Sequence, residues 1–427
     1  MRRGELLRGL EDGSLLPRLE PVYGADAGEA AGRLLELTRE YAETFPCGED
    51  TDTWLFSAPG RTEIGGNHTD HQRGHCLAAA VGLDTIACAV PNGSNIIRIK
   101  SRHHRIAEVD LEQLDIHDAE TGSSPSLVRG AAARLTQLGY TVGGFDAYTT
   151  TRVLRGSGLS SSAAFEVLVC AIMNQFFCGG RLTPVQIAQT GQYAENVYYG
   201  KPCGLLDQLS CSCGGVIAAG FEDPAHPSIR QIQVDLAAQG YALCIVDAGA
   251  SHASLIEDYA SIPQEMRQVA AHFGKEVLGE VPHEDFQKEL SAARAACGDR
   301  AVLRAIHFYQ DDQRVAQQLE ALEHNDFDAF LRLVRQSGRS SFMYLQNVST
   351  YRDSRVQPMA VLLAQAEELL GDRGACRIHG GGFAGTIQAF VPLDLLEAFT
   401  QRMEALTREG SCYALDIRSA GSTCLIT

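Results

Sequence analysis

The chain of 427 residues is short of positive charge: 36 lysines and arginines stand against 53 aspartates and glutamates, a net charge of −17. That balance leaves no electrostatic footprint for nucleic acid or for an anionic membrane. A bound nucleotide must therefore be held by local devices such as a helix N-terminus, backbone amides or a metal. No apolar run reaches transmembrane length. The opening Met1-Arg2-Arg3-Gly4-Glu5-Leu6-Leu7 lacks the apolar core of a signal peptide, so a cytoplasmic location is expected. Paired cysteine spacing is also missing. The 13 cysteines are odd in number and several lie in apolar runs (Cys88, Cys170, Cys244), which reads as reduced, buried thiols. Cys211-Ser212-Cys213 has no second pair to complete a zinc set. No fixed-period repeat is present.

What is present centres on Arg155-Gly156-Ser157-Gly158-Leu159-Ser160-Ser161-Ser162-Ala163-Ala164. Gly156 and Gly158 allow the backbone to wrap closely around a bound group, and the run from Ala163 to Met173 has helix character. A glycine-serine turn feeding a helix N-terminus aims free N–H groups and the positive dipole end at one point, which suits phosphate. Serine hydroxyls can donate to phosphate or ligate Mg²⁺. The bland alternative is a serine N-cap on a buried helix. The serine loop is neither GxGxxG nor GxxxxGK[ST], so neither a Rossmann nor a Walker loop is supported.

Upstream, Thr53–Ala58 alternates and predicts a strand ending at Pro59-Gly60. The polar stretch from Arg61 to His71 follows, and reads as a glycine-punctuated loop suited to hydroxyl-rich ligands. Strand signals return over Cys76–Val90 and Asn95–Lys100. Leu182-Thr183-Pro184 starts a helix over 186–199 that presents Glu195 near its end. After Gly200-Lys201-Pro202-Cys203-Gly204, Asp207 stands in apolar surroundings, either capping backbone amides or acting as a base. Residues 1–50 are expected to form a helical N-terminal extension, 51–225 a first domain and 226–427 a second. In the second domain, strand, His379–Gly385 glycine loop, strand, helix and strand suggest an α+β arrangement.

The three glycine-bearing motifs, in this order, resemble the GHMP small-molecule kinases. The serine loop is similar to that family's Pro-x-x-x-Gly-Leu-Ser-Ser-Ser-Ala, with Val153 or Leu154 standing where proline is usual. An HGGG run also occurs in esterases, but no G-x-S-x-G elbow accompanies it here. Within the superfamily the chain resembles the galactokinases, whose signature reads roughly Gly-Arg-Val-Asn-Leu-Ile-Gly-Glu-His-Thr-Asp-Tyr-Asn. Here Gly60-Arg61-Thr62-Glu63-Ile64-Gly65-Gly66-Asn67-His68-Thr69-Asp70-His71-Gln72 stands in its place. Gly200–Gln208 is similar to the family's Gly-x-Pro-Cys-Gly-x-x-Asp-Gln.

The resemblance implies an α+β, two-domain GHMP kinase fold, with a ribosomal-protein-S5-domain-2-like N-terminal domain and a ferredoxin-like C-terminal one. It implies an ATP- and Mg²⁺-dependent sugar 1-kinase, with galactose the expected sugar and only small-molecule partners for a monomer or weak homo-oligomer. Asp207 matches the catalytic base and Arg61 its charge partner. Asn67, His68, Asp70, Gly204 and Tyr259 match sugar contacts. Gly156, Ser157, Gly158, Ser160, Ser161 and Ser162 match the nucleotide loop, with Ser162 and Glu195 as metal ligands. The departures are Asn67 for a glutamate, His71 for a tyrosine, and Ala260-Ser261-Ile262-Pro263 after Tyr259. They leave room for an N-acetylhexosamine or arabinose kinase, or for a non-catalytic sugar and ATP sensor.

Overall fold

The computed structural model describes residues 1–102, 104–153, 158–249, 255–350, 354–383 and 385–427. Helices α1 (Arg3–Glu11), α2 (Leu16–Tyr23) and α3 (Ala27–Thr44) lead into β1 (Trp54–Gly65). Then come β2 (His75–Pro91), β3 (Ile96–Ser101), β4 (Ile106–Asp110), α4 (Ser124–Gln137), β5 (Phe145–Thr151) and α5 (Ser161–Phe177). Helices α6 (Pro184–Tyr193) and α7 (Leu206–Cys213) precede β6 (Val216–Gly220) and β7 (Ser228–Ile232). The second half opens with β8 (Tyr241–Asp247). Six helices follow it: α8 (Ile256–His272), α9 (His283–Lys288), α10 (Leu290–Cys297), α11 (Asp299–Glu323), α12 (Phe327–Ser340) and α13 (Pro358–Leu370). It closes with β9 (Ala375–Ile378), β10 (Thr386–Pro392), α14 (Leu396–Leu406), β11 (Cys412–Leu415) and β12 (Thr423–Ile426).

The first sheet runs β12-β1-β2-β5-β3-β4, with β6 also on β2 and β7 on β6. Its pairs are antiparallel except β3 with β5. The second sheet is antiparallel in the order β11-β8-β10-β9. Read by chain order within the domain that is fourth-first-third-second, the split βαβ pattern of a ferredoxin-like domain, as expected. The first sheet packs tightly because β2 carries Ala78-Ala79-Ala80, all fully buried. Small side chains there let α5, α7 and α11 lie close on the sheet.

Three expectations are corrected. The first strand does not end at Pro59-Gly60: β1 continues through the motif to Gly65, absorbing Pro59 and Gly60 at a register shift beside β2. Residues 1–50 are not a separate extension, because Leu6, Leu19, Leu34 and Tyr41 form one core with Leu55, Ile86, Tyr148 and Ile426 of the first sheet. The boundary near 226 is not clean either. β7 still belongs to the first sheet, and β12 returns from the C-terminus to pair with β1. An unpaired β1 edge would leave a row of backbone groups without partners, and β12 supplies them.

Asp84 ties these segments together. Fully buried on β2, it accepts from Tyr23 Oη (2.8 Å), Arg33 Nη2 (2.7 Å), Ser57 Oγ (2.6 Å) and Arg418 Nη1 (3.3 Å). Burial pushes its pKa up, but Arg33, Arg418 and Ser57 outweigh that and hold it below the ordinary carboxylate value. A depressed folded pKa means the contribution is complete above the unfolded value, near pH ~4, and is lost as pH falls through the folded one. Asp84→Asn leaves two guanidiniums without a counter-charge and is expected to cost about 3 kcal/mol or more in urea unfolding at pH 7. The gap to wild type should narrow on acidification. An unchanged midpoint would remove Asp84 from this role.

Candidate active site

Strand pleating puts Arg61 and Glu63, two residues apart on β1, on one face. Arg61 is nearly buried, and its Nε donates to Asp207 Oδ1 at 2.6 Å. A second Arg61 nitrogen donates to the Gly158 carbonyl. Asp207 lies in the first turn of α7, and its other oxygen accepts from Ser160 Oγ. Its side chain is 37% exposed, so the carboxylate is open to a ligand. Burial raises its pKa, but the Arg61 guanidinium, the Ser160 hydroxyl and Lys201 together hold it below the usual carboxylate range. Asp207 is thus an ionised, partly open carboxylate and not a helix cap. Ser160 holds the N-cap position of α5 in the left-handed region (φ 56°) with no capping bond; its hydroxyl serves Asp207 instead. That removes the bland reading of the serine loop.

The phosphate end adjoins it. Gly158 has φ +73°, and a methyl there would meet His379 Nδ1 at 2.9 Å, so the loop needs glycine at this point. Ser161 and Ser162, at the start of α5, line a cleft of 850 Å³ with Thr85, Phe165, Glu166, Glu195, Tyr199 and Lys201. Gly156 and Ser157 lie outside the described residues. Glu195 lies, as expected, near the end of an unbroken helical stretch that covers 186–199, but the winding changes before it. α6 stops at Tyr193, and Ala194–Tyr199 widens into a π-helical turn, a device common at functional sites.

Gln208 Nε2 bridges Glu195 Oε2 and Glu166 Oε2, both at 2.9 Å. Lys201 Nζ donates to Glu195 Oε1 at 2.9 Å. Burial, then Glu195, pushes the Glu166 carboxyl up, and Glu166 Oε1 is buried without a hydrogen-bond partner. No cluster of three or more His, Cys, Asp or Glu suits a metal among the described residues. A hydroxyl, one or two carboxylates and an orphaned carboxylate oxygen are hard donors. They fit a cation such as Mg²⁺, which takes its remaining ligands from phosphate and water.

At the sugar motif, Asp70 Oδ1 accepts from the His71 backbone N–H at 2.8 Å. Its Oδ2 lies so near Gly204 that a Cβ there would sit 2.2 Å away. Gly204 therefore acts by leaving room for Asp70. His68, in the left-handed region at φ 62°, sets Nε2 3.1 Å from the Gly381 carbonyl; burial and then His71 push its pKa down to about 4, so it is neutral. Tyr259 Oη donates to the Gly382 carbonyl at 2.6 Å, which keeps it in the cluster despite the altered residues after it.

Asn67 differs from expectation. It is fully buried; Nδ2 donates to Glu63 Oε1 and to the Gly380 carbonyl, both at 2.7 Å. Its Oδ1 accepts from Asn347 Nδ2 (2.8 Å) and Ser341 Oγ (3.3 Å). An amide has two donors and two lone pairs, so none remains for a sugar. Nor is the carboxylate lost from this motif. Glu63 stands where the galactokinase signature has Asn, hydrogen-bonded to the residue that replaces the signature's Glu.

Glu63, Lys201, Glu166, Gln208, Arg377 and His379 were not singled out from the sequence. Lys201 and Gln208 lie inside a motif already read, and Glu63 is a motif position, so those signals were available. Arg377 and His379 reach β1 from the other domain, with Arg377 Nη1 donating to the Ile64 carbonyl at 2.7 Å. Gly204→Ala is expected to displace Asp70 while Arg61–Asp207 stays in place, as a crystal structure of the variant would reveal. An unmoved Asp70 in that variant would refute the contact.

Residues 126–215 match the GHMP kinases N terminal domain, and residues 39–91 match the Galactokinase galactose-binding signature. A galactokinase of Streptomyces coelicolor is 32% identical over 381 residues, spanning 88% of this chain and 93% of that one. The crystal structure of Lactococcus lactis galactokinase complexed with galactose superposes with a TM-score of 0.79 at 25% identity, covering 92% of this chain and 99% of that chain. Methanococcus jannaschii mevalonate kinase shares the fold, with a TM-score of 0.59 at 13% identity, over 86% of this chain and 98% of that one. With Arg61, Asp207 and the serine loop converging as described, the chain belongs to the galactokinase family of the GHMP kinases.

Proposed function

We propose that the chain transfers the γ-phosphoryl group of ATP to the C1 hydroxyl of galactose, with Asp207 as the base. The observation that carries this reading is the Arg61–Asp207–Ser160 cluster, which joins the sugar motif to the nucleotide loop. The C1 oxygen forms a bond to the γ-phosphorus, the bond from that phosphorus to the β,γ-bridging oxygen breaks, the hydroxyl proton goes to Asp207, and ADP leaves. Phosphoryl transfer asks mainly for positioning and charge neutralisation. A base of low pKa suffices because the hydroxyl becomes strongly acidic only as the new bond forms.

Asp70 and His68 sit where they can orient the ring, one as acceptor and the other as a neutral imidazole. Gly158, Ser160, Ser161 and the start of α5 offer backbone N–H groups and hydroxyls to the phosphates. Ser162 and Glu195 are the residues we assign to Mg²⁺, which when bound neutralises charge on the β- and γ-phosphates. Lys201 holds one oxygen of Glu195 and can turn to phosphate when that oxygen is claimed. Among the described residues no helix is long and apolar enough to cross a membrane; we assign the reaction to the cytoplasm, where ATP is supplied.

The test is an ADP-release assay with Mg-ATP across galactose, N-acetylgalactosamine, glucose, arabinose and a no-sugar control. Galactose-dependent turnover is expected. Preference for another sugar would move the substrate, and absence of turnover despite sugar and ATP binding would leave a sensor. Asp207→Asn is expected to lower kcat by about 10²- to 10⁴-fold while ATP affinity stays near wild type. Full activity there would remove Asp207 from the mechanism. Because Arg61 depresses the Asp207 pKa, Arg61→Gln should shift the acid limb of the kcat/KM profile to higher pH. An acid limb that stays put would show that Asp207 does not set it.

A further inference from the structure

Glu63 is nearly buried, and the two ends of its carboxylate have different surroundings. Oε1 accepts from Asn67 Nδ2 at 2.7 Å and lies 3.3 Å from Arg377 Nη2. Oε2 has no hydrogen-bond partner among the described residues, yet it is not sealed from solvent, as the orphaned buried oxygens elsewhere in the molecule are. Glu63 shares a face of β1 with Arg61, whose guanidinium reaches Asp207; burial pushes the Glu63 pKa up to about 7, with Arg377 and then Arg61 pulling against it. A carboxylate clamped through one oxygen, with the other left unpaired on the β1 face that carries Arg61, is a preorganised acceptor for a hydroxyl.

Asn67, fourfold satisfied and fully buried, cannot offer that contact without breaking bonds to Glu63, Gly380, Asn347 or Ser341. We infer that Glu63 takes the sugar-hydroxyl contact through Oε2 and that Asn67 is the clamp that aims it. The hydroxyl is one other than C1, which Asp207 occupies. This rests on the reading of the site as a hexose 1-kinase. It makes Glu63 a specificity determinant: a sugar lacking that hydroxyl leaves a buried carboxylate oxygen unpaired, a loss larger than the contact alone is worth.

The experiment compares wild type, Glu63→Gln and Glu63→Asp on galactose and on its 2-, 3-, 4- and 6-deoxy forms, with KM for ATP and a melting curve for each protein. Glu63→Gln is expected to lower kcat/KM for galactose by about 10- to 100-fold, chiefly through KM, as loss of a hydrogen bond to a charged group implies. The ATP KM should stay near wild type. One deoxy sugar, poor for wild type, should become equivalent to galactose in the variant, because the group it lacks no longer has its acceptor. Glu63→Asp, which keeps the charge but withdraws it by one methylene, carries the same comparison if the glutamine variant does not fold. Equal deoxy-sugar penalties in wild type and variants would overturn the inference and leave Glu63 a structural group. Failure of the galactose reading is distinct: wild type would then turn over another sugar, and the deoxy forms of that sugar judge Glu63 in the same way.

Discussion

The ion pair between Arg61 and Asp207 is the contact on which the rest of the site depends. It spans 146 positions of sequence and joins β1 to the first turn of α7, with the arginine nearly buried and the carboxylate partly open. A buried guanidinium placed there singly would pay a heavy desolvation cost; paired with Asp207, which Ser160 also contacts, and donating to the Gly158 carbonyl, it persists. The pair keeps the carboxylate ionised and aimed. Ser160 also draws the start of α5 up to it, so the serine loop and the carboxylate share one support.

The second domain buttresses this arrangement. Arg377 donates to the Ile64 carbonyl, His379 lies against Thr62 at 3.0 Å, and the carbonyls of Gly380, Gly381 and Gly382 receive Asn67, His68 and Tyr259. Burial, Arg61 and Arg377 push the His379 pKa down to about 3, so the ring between Thr62 and Thr386 is neutral. A buried polar layer of this kind is stable only when nearly every atom is paired, which rules out small displacements of the sugar motif. The glycine loop therefore holds Asn67, His68 and Tyr259 through its backbone carbonyls.

Much of this was legible in the residues. The serine loop, the polar run after Gly60 and the segment from Gly200 to Gln208 each carry a local chemical reason for their composition, and all three meet at the Arg61–Asp207–Ser160 cluster. The geometry within them was less legible. Arg61 through Gly65 read as a loop because polar residues and glycines dominate, yet tertiary pairing with β2 overrode that preference and made a strand. That strand pleat, invisible in the composition, is what sets Arg61 and Glu63 side by side. Asn67 read as a ligand because it stands where the galactokinase signature has a glutamate and an amide can still accept and donate. Only its four partners, three of them more than 270 residues away, reveal that it has nothing left to offer.

The sequence by itself determined the chemistry: which residue types stand ready for phosphate and hydroxyl groups, their order along the chain, and the ferredoxin-like second domain that the resemblance implied. The residue types and their order follow from local backbone needs and from spacing, which any one chain carries openly; the ferredoxin-like domain rests on the resemblance. Tertiary structure alone decided the assignments among neighbours. It returned β12 to the edge of β1 and laid residues 1–50 on the first sheet. It also gave one oxygen of Glu63 to Asn67 and Arg377 and left the other without a partner among the described residues. Such outcomes depend on long-range packing and on the requirement that buried polar atoms find partners, and no short stretch of sequence contains both partners at once.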